Sequence, residues 1–360
     1  MRKECNYCYP MPLFSNIPDI KDFTLDRLVC WLDEHGLESY RAKQIFKWVY
    51  LRQADIFDDM TDLPKHARTL LTNHFTINRL KIVHIETSKD GTKKFLFELN
   101  DGQHIETVLI PEENHHTLCI SSQAGCAQGC KFCLTAKNGF ARNLTPGEII
   151  AQVRDIKKLH ASDNLTNIVF MGMGEPLANY TNVIHAINVI INGDFGLQIS
   201  CRKVTVSTAG MVPNLNKLSH DTNINLAVSL NASDNITRSM LMPINKTYPI
   251  EVLLDECRRY NMSECRKITI EYILIKGVND SKEDAKRLAS LLRPIRSKIN
   301  LIPFNENKAS KFKRPDKSTI DNFQKILLKN NYITIIRNSK GMDISAACGQ
   351  LSSKQIKTTS

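Results

Sequence analysis

From residue 117 to residue 337 short apolar runs alternate with stretches of helical periodicity, and no other feature so narrows what this chain can fold into. Strands are expected near 117–121, 167–171, 203–207, 224–230, 268–275 and 298–304, with a further one at 332–337. Such alternation builds right-handed βα units around a parallel sheet. Six or seven units in about 220 residues suit a partial or complete β/α barrel. The first crossover helix has a clear start: Thr145 offers an N-cap hydroxyl, Pro146 a fixed φ and Glu148 a capping-box carboxylate, before the apolar stripe of Ile149, Val153 and Ile156.

Upstream the pattern differs. Between residues 20 and 76, Leu25, Leu28, Val29 and Leu32, then Ala42, Ile45, Phe46 and Val49, keep the spacing of amphipathic helices, punctuated by Gly36 and Pro64. Residues 94–99 and 104–108 alternate as strands of a small adaptor. No apolar stretch approaches the roughly 18 residues that a membrane helix needs, and the N-terminus lacks a signal-peptide core, so a cytoplasmic protein is expected. In that reducing compartment the eleven cysteines are ligands, catalysts or core residues rather than a disulfide framework. Cys30, Cys201, Cys257 and Cys265 are expected to be structural, and the pair Cys5 and Cys8 incidental. A net charge of +11 suits a polyanionic partner. Basic residues crowd at Lys308, Lys311, Lys313, Arg314 and Lys317 and at Arg258, Arg259, Arg266 and Lys267, with no recognisable reader of base edges among them.

On a barrel the chemistry gathers at the C-terminal ends of the strands. There the chain carries Cys126, Cys130 and Cys133 after the first strand and Gly172-Met173-Gly174-Glu175-Pro176 after the second. Ser207 closes the third, Ser229-Leu230-Asn231 the fourth, and Asn305 follows the sixth. Three thiolates without a fourth close behind leave one iron of a cubane cluster open, whereas a structural zinc site closes with four ligands. Gly172 and Gly174 leave room for a ligand near the backbone, and Glu175 can receive an ammonium group.

The CxxxCx(aromatic)C spacing, with Phe132 as the aromatic, resembles the signature of radical SAM enzymes, and Gly-Met-Gly-Glu resembles the motif by which they hold the methionine amino group of S-adenosylmethionine. With the flanking blocks 117–123 and 135–144, and with Gly341 to Leu351 near the other end, the whole resembles the RlmN/Cfr family of radical SAM RNA methyltransferases. The resemblance runs from the helical segment to Leu351. It implies a helical accessory domain that holds RNA, with the start of the adaptor, over residues 1–90. Adaptor strands then occupy 91–111, a radical SAM core 112–343, and a tail 344–360 carries Cys348.

What the resemblance implies residue by residue is a 4Fe-4S cluster on Cys126, Cys130 and Cys133, and S-adenosylmethionine (SAM) on Gly174, Glu175, Ser207, Ser229, Leu230, Asn231 and Asn305. A first SAM methylates Cys348, and a second yields the radical that takes hydrogen from the new methyl group. The resulting carbon adds to carbon 2 of an adenine, Glu106 removes the ring proton, and Cys119 attacks the Cys348 sulfur to release the RNA. The implied substrates are adenine 2503 of 23S rRNA and adenine 37 of tRNAs. An electron donor of flavodoxin or ferredoxin type feeds the cluster, a thiol reductant reopens the Cys119–Cys348 disulfide, and a monomer is expected. Two departures stand out: Asn231 where relatives usually have histidine, and a lysine-rich segment from Glu306 to Pro315. The alternatives are a carbon-8 methyltransferase of the Cfr branch, against which Pro176 speaks, and a non-catalytic RNA-binding module with Cys119 completing a four-cysteine metal site.

Overall fold

The computed structural model describes residues 17–160, 164–263, 266–306 and 310–352. Cys5, Cys8, Cys265 and Lys308 lie outside them. The chain divides into two compact units, each drawn from separated stretches of sequence.

The first unit comprises residues up to Leu80, a middle stretch beginning at Thr145, and His185–Ile199. It is helical: α1 (Leu25–Glu34), α2 (Arg41–Phe46) running on into a π-turn at Lys47–Leu51, and α3 (Lys65–His74). Leu28, Leu32, Ala42, Ile45, Phe46, Val49 and Leu71 form its core, as their spacing requires. The middle stretch adds the crossover helix Pro146–Leu159, whose Thr145 and Glu148 make both bonds of the capping box. From this helix Arg154, fully buried, donates to Val49 O, Ala54 O and Asp55 Oδ1 at 2.6–2.9 Å.

The second unit carries one ten-stranded sheet. The strands of the unit are β1 (Lys81–Thr87), β2 (Lys93–Glu98), β3 (His104–Pro111) and β4 (His116–Cys119), a separate two-stranded hairpin β5 (Gln123–Gly125) and β6 (Phe140–Asn143), then β7 (Leu165–Phe170), β8 (Val204–Thr208), β9 (Asn225–Ser229), β10 (Ile268–Leu274), β11 (Ser297–Pro303) and β12 (Thr334–Ile336). The sheet order is β1-β2-β3-β4-β7-β8-β9-β10-β11-β12, antiparallel through β4 and parallel from β4 onward. Every strand expected after residue 117 is present, and β2 and β3 hydrogen-bond directly into the sheet rather than standing apart from it.

The two edges, β1 and β12, do not pair, so the barrel is partial. Successive strand residues face opposite sides. Leu118, Ile168, Val206, Leu226, Ile270, Tyr272 and Leu301 point to the buried apolar side, while Thr117, Cys119, Asn167, Thr205, Ser229, Glu271 and Asn300 face the cavities inside the curve. That alternation aims a row of polar side chains into one space.

Candidate active site

The loop from Gly125 to Cys133 is built by backbone constraints. Gly125 has φ +78°, and a Cβ there would come within 2.1 Å of the Gly139 carbonyl oxygen. That close approach lets Cys126 N–H donate to the same oxygen at 2.8 Å, and Cys133 N–H donates to Cys130 O at 3.2 Å. Cys126, Cys130 and Cys133 line one cavity together with Gly172, Gly174, Glu175, Ser207, Ser229 and Asn231. Burial pushes the Cys126 thiol up to about 11 and Cys130 higher still; the Cys133 charge adds to both shifts and the Cys126 charge to that of Cys130. A metal must therefore displace protons that the bare site holds firmly. Among the described residues no three His, Cys, Asp or Glu side chains are disposed to share one ion. Cys119, which a four-cysteine zinc site would need, lines the other cavity and not this one, so the donors here are three thiolates, the set that suits a 4Fe-4S cluster.

Glu175, nearly fully buried, is held by Leu177 N–H at 3.0 Å and Ala209 N–H at 2.7 Å, one on each carboxylate oxygen. Burial raises its pKa and these hydrogen bonds oppose the rise. The result is a fixed acceptor beside the cysteines. The room expected around Gly172 and Gly174 is taken by the protein itself: a Cβ on Gly172 would meet the Ile120 backbone at 2.7 Å, and one on Gly174 the Gln123 side chain at 2.5 Å. Gly174 also has φ +99°. Both glycines let the turn after β7 press against the turn after β4.

The other expected contacts divide. Ser207 and Ser229 both donate to Glu271 Oε2, at 2.9 and 3.2 Å. Asn305 donates to Cys348 O at 3.4 Å, and its buried Oδ1 has no partner among the described residues, an acceptor suited to a ligand donor. Asn231 lines the cavity in the left-handed conformation, φ +58°, which Asn tolerates. Its Oδ1 accepts from Ile273 N–H at 2.8 Å and its amide reaches Met242 Sδ at 3.2 Å, so the side chain is already engaged. Leu230 is fully buried and does not line the cavity; its N–H donates to Glu271 O and its carbonyl accepts from Arg238.

A larger cavity of about 550 Å³ opens on the same interior. Cys119 and Cys348 both line it, with Glu271, Lys298, Asn300, Arg337 and Lys340. Cys348 and Glu271 line both cavities, so the thiol stands where the two meet. Its side chain is exposed to cavity space, yet the surrounding protein pushes the thiol up to about 11, with the Glu271 charge next in effect. Burial likewise raises Cys119, and the charge of Cys348 contributes. The tail carrying Cys348 is pinned by Leu134 N–H to Gly349 O at 2.8 Å and by Thr135 Oγ1 to Leu351 O at 2.7 Å. Glu106 lines neither cavity. Its carboxylate accepts from Ser352 N–H at 2.7 Å and lies 3.4 Å from Lys94 Nζ, which also donates to Ile344 O.

The sequence singled out neither Glu271 nor the interior cations. A carboxylate inside the apolar run Ile268 to Leu274 is the signal that was available, since a buried charge needs partners.

Two family models match: the radical SAM superfamily over residues 120–289 and the ribosomal RNA large subunit methyltransferase N-terminal domain over 18–77. A dual-specificity RNA methyltransferase RlmN of Desulfosudis oleivorans is 59% identical over 92% of this chain and 90% of its own length. The protein of the same name from Geobacter sulfurreducens is 52% identical over 93% and 92%. The crystal structure of a radical SAM methyltransferase from Sphaerobacter thermophilus superposes with a TM-score of 0.87 at 43% identity, covering 94% of this chain and all of that one.

Proposed function

This chain belongs to the RlmN family of radical SAM RNA methyltransferases, and from that membership we propose that its two cavities divide the reaction: methyl acquisition on the cluster side of Cys348, RNA modification on the other. The enzyme uses a 4Fe-4S cluster and SAM to methylate RNA at an adenine, carbon 2 of adenine 2503 in 23S rRNA and of adenine 37 in tRNAs. When bound, cluster and cofactor supply the methyl group and the radical reactivity that an electron-poor ring carbon demands. The observation that carries this division is the position of Cys348, which lines both cavities.

On the first side Cys126, Cys130 and Cys133 hold the cluster. Glu175 receives the ammonium of SAM, while Ser207 and Ser229, oriented by Glu271, and Asn305 Oδ1 offer partners for its polar edge. Gly174 and Asn231 complete that wall, and Leu230 supports it from behind, its N–H donating to Glu271 O. On the second side the larger cavity has the volume of a nucleotide site. Lys298 and Arg337 form no ion pair among the described residues, which suits them to RNA phosphates, contacts that position without reading sequence. An adenine inside such a cavity must leave its stack.

Cys348 accepts the methyl carbon and presents it to the base. Glu106, held beside the tail by Ser352 N–H, takes the proton that leaves the ring carbon. Cys119 then attacks the Cys348 sulfur as a thiolate; the S–S bond forms as the bond from sulfur to the RNA-borne carbon breaks, and that carbon keeps the electron pair and takes up a proton to become the methyl group. The disulfide left behind returns to two thiols with a thiol reductant. The helical unit supplies further RNA contacts through Lys43, Lys47 and Arg52, the last lying 4.0 Å over the Trp48 ring, while Arg41 pairs with Glu38 at 2.5 Å. A monomer working in the cytoplasm fits this scheme, and no helix among the described residues is long and apolar enough to cross a membrane.

The test is anaerobic reconstitution with methyl-deuterated SAM, a reductant and protein-free 23S rRNA, followed by digestion and mass spectrometry of the methyladenosine isomers. Label on carbon 2 is expected. Label on carbon 8, or none on adenosine, overturns the assignment.

A further inference from the structure

The cluster must be recharged by electrons from outside the protein, and a carrier can deliver them only if it docks close to Cys126, Cys130 and Cys133. A compact apolar core borders these ligands: buried Phe132, Leu241, Met242, Ile244, Ile275 and Phe304, with Cys130, Cys133 and Phe312 packed against it. Four separate segments meet there, and the backbone ties them together. Lys131 N–H donates to Leu241 O and Lys276 N–H to Lys313 O, each at 2.9 Å, while the Phe304 and Phe312 rings meet edge to face at 6.0 Å.

Each of the four segments sends lysine outward. Lys131, Lys246, Lys276, Lys311 and Lys313 are all exposed. Two of them have carboxylate neighbours, Lys276 with Asp316 at 3.0 Å and Lys313 with Glu306 at 3.2 Å. Such exposed pairs exchange readily for other partners. Lys131, Lys246 and Lys311 meet no carboxylate among the described residues. Met240, next to the core residue Leu241 in the short helix Asn235–Leu241, is 50% exposed and offers an adaptable apolar contact.

We propose that this lysine ring is the docking surface for an acidic one-electron carrier protein. The inference rests on the radical SAM reading of the same site. Charge complementarity is its first support, since a positive ring steers and orients an acidic partner. Its second support is position: Phe132 and Met242 belong both to the core beneath the ring and to the lining of the cluster cavity, so a docked carrier is separated from the cluster ligands by one layer of side chains. The cations assigned above to RNA, Lys298 and Arg337 in the other cavity and Lys43, Lys47 and Arg52 in the helical unit, belong to none of the four segments.

The experiment compares cluster-loaded wild type with Lys246→Glu/Lys311→Glu and with the triple variant that adds Lys131→Glu. SAM cleavage is driven either by reduced flavodoxin or by dithionite, and tRNA affinity is measured in parallel. At low salt the flavodoxin-driven rate of the triple variant should fall by at least about tenfold and lose its steep dependence on ionic strength. The double variant, which leaves the cysteine loop untouched, should fall several-fold. For the double variant the dithionite-driven rate, iron content and tRNA affinity should stay at wild-type values. An unchanged flavodoxin rate overturns the proposal, as does an equal loss with dithionite. Lost tRNA affinity with intact flavodoxin coupling makes the ring an RNA surface instead. If wild type fails to cleave SAM with dithionite, the radical SAM assignment itself is wrong.

Discussion

Arg238 is the residue through which the site is most open to a decisive perturbation from outside it. Its fully buried guanidinium donates to Leu230 O at 3.1 Å, Asn245 Oδ1 at 2.9 Å, Tyr248 O at 3.3 Å and Ala209 O at 2.7 Å. Two of these acceptors sit in the strand-end turns of β8 and β9. Ala209 in turn donates to Glu175, and Leu230 lies between Ser229 and Asn231. Arg238→Lys keeps the charge but replaces a planar fork by one ammonium with three donors and less reach. If two acceptors are left buried without a donor, at about 1–3 kcal/mol each, the variant loses about 2–6 kcal/mol. For a unit of this size that is a fall in melting temperature of roughly 5–20 °C. Because the displaced turns carry Ser229 and the donor to Glu175, SAM affinity should weaken by at least about tenfold, which needs only about 1.4 kcal/mol of misplacement. Thermal unfolding of the cluster-loaded enzyme and calorimetric titration with SAM measure both. A variant that melts within about 2 °C of wild type and binds SAM within about twofold would refute the view that Arg238 braces the site.

Other substitutions probe single links. Glu271→Ala should release both serine hydroxyls and raise the SAM dissociation constant by roughly tenfold, while Glu271→Gln, which keeps an acceptor oxygen, should retain most of the affinity; equal effects in the two would mean that the serines are not being oriented. Gly125→Ala forces a Cβ against the Gly139 carbonyl and a left-handed backbone, so iron content and visible absorbance should drop together, and a fully loaded variant would contradict the loop geometry. Cys348→Ala should abolish RNA methylation with iron content intact. Cys119→Ser should instead leave RNA covalently attached to the protein on a denaturing gel, and free methylated RNA from that variant would remove Cys119 from the release step.

Strands β4 and β7 to β12 were legible because each is an apolar run bounded by turn residues, whereas the polar hairpin of β5 and β6 was not; the capping box at Thr145 is a local signal that tertiary context did not override. β1 was not: Ile82, Val83 and Ile85 are each about two-fifths exposed, so no buried face imposed an alternation to find. That the cysteine triad and Cys348 meet at one cavity was legible from the place of the triad after the first strand and from the resemblance. The work of Gly172 and Gly174 could not, since it depends on which backbone from another turn presses against them. Charge clusters proved the least informative from sequence. Arg258 and Arg259 turn back onto Asp255 within their own helix, whereas the lysines at 311 and 313 join others from distant segments, such as Lys131.

The helical unit is completed by chain that arrives late. Its buried Arg154 satisfies Val49, Ala54 and Asp55, about a hundred residues upstream, and His185–Ile199 belongs to it as well. During synthesis the first eighty residues therefore emerge with their carbonyl acceptors unmet and part of their apolar surface uncovered, until β7 and the helix after it have also been made. Cutting the gene at residue 80 would not yield a free-standing module, and fusing that fragment to another catalytic core would transplant an interior lacking its keystone. Growth of this enzyme from separate pieces would have required the two parts to become interleaved, after which neither could be lost alone.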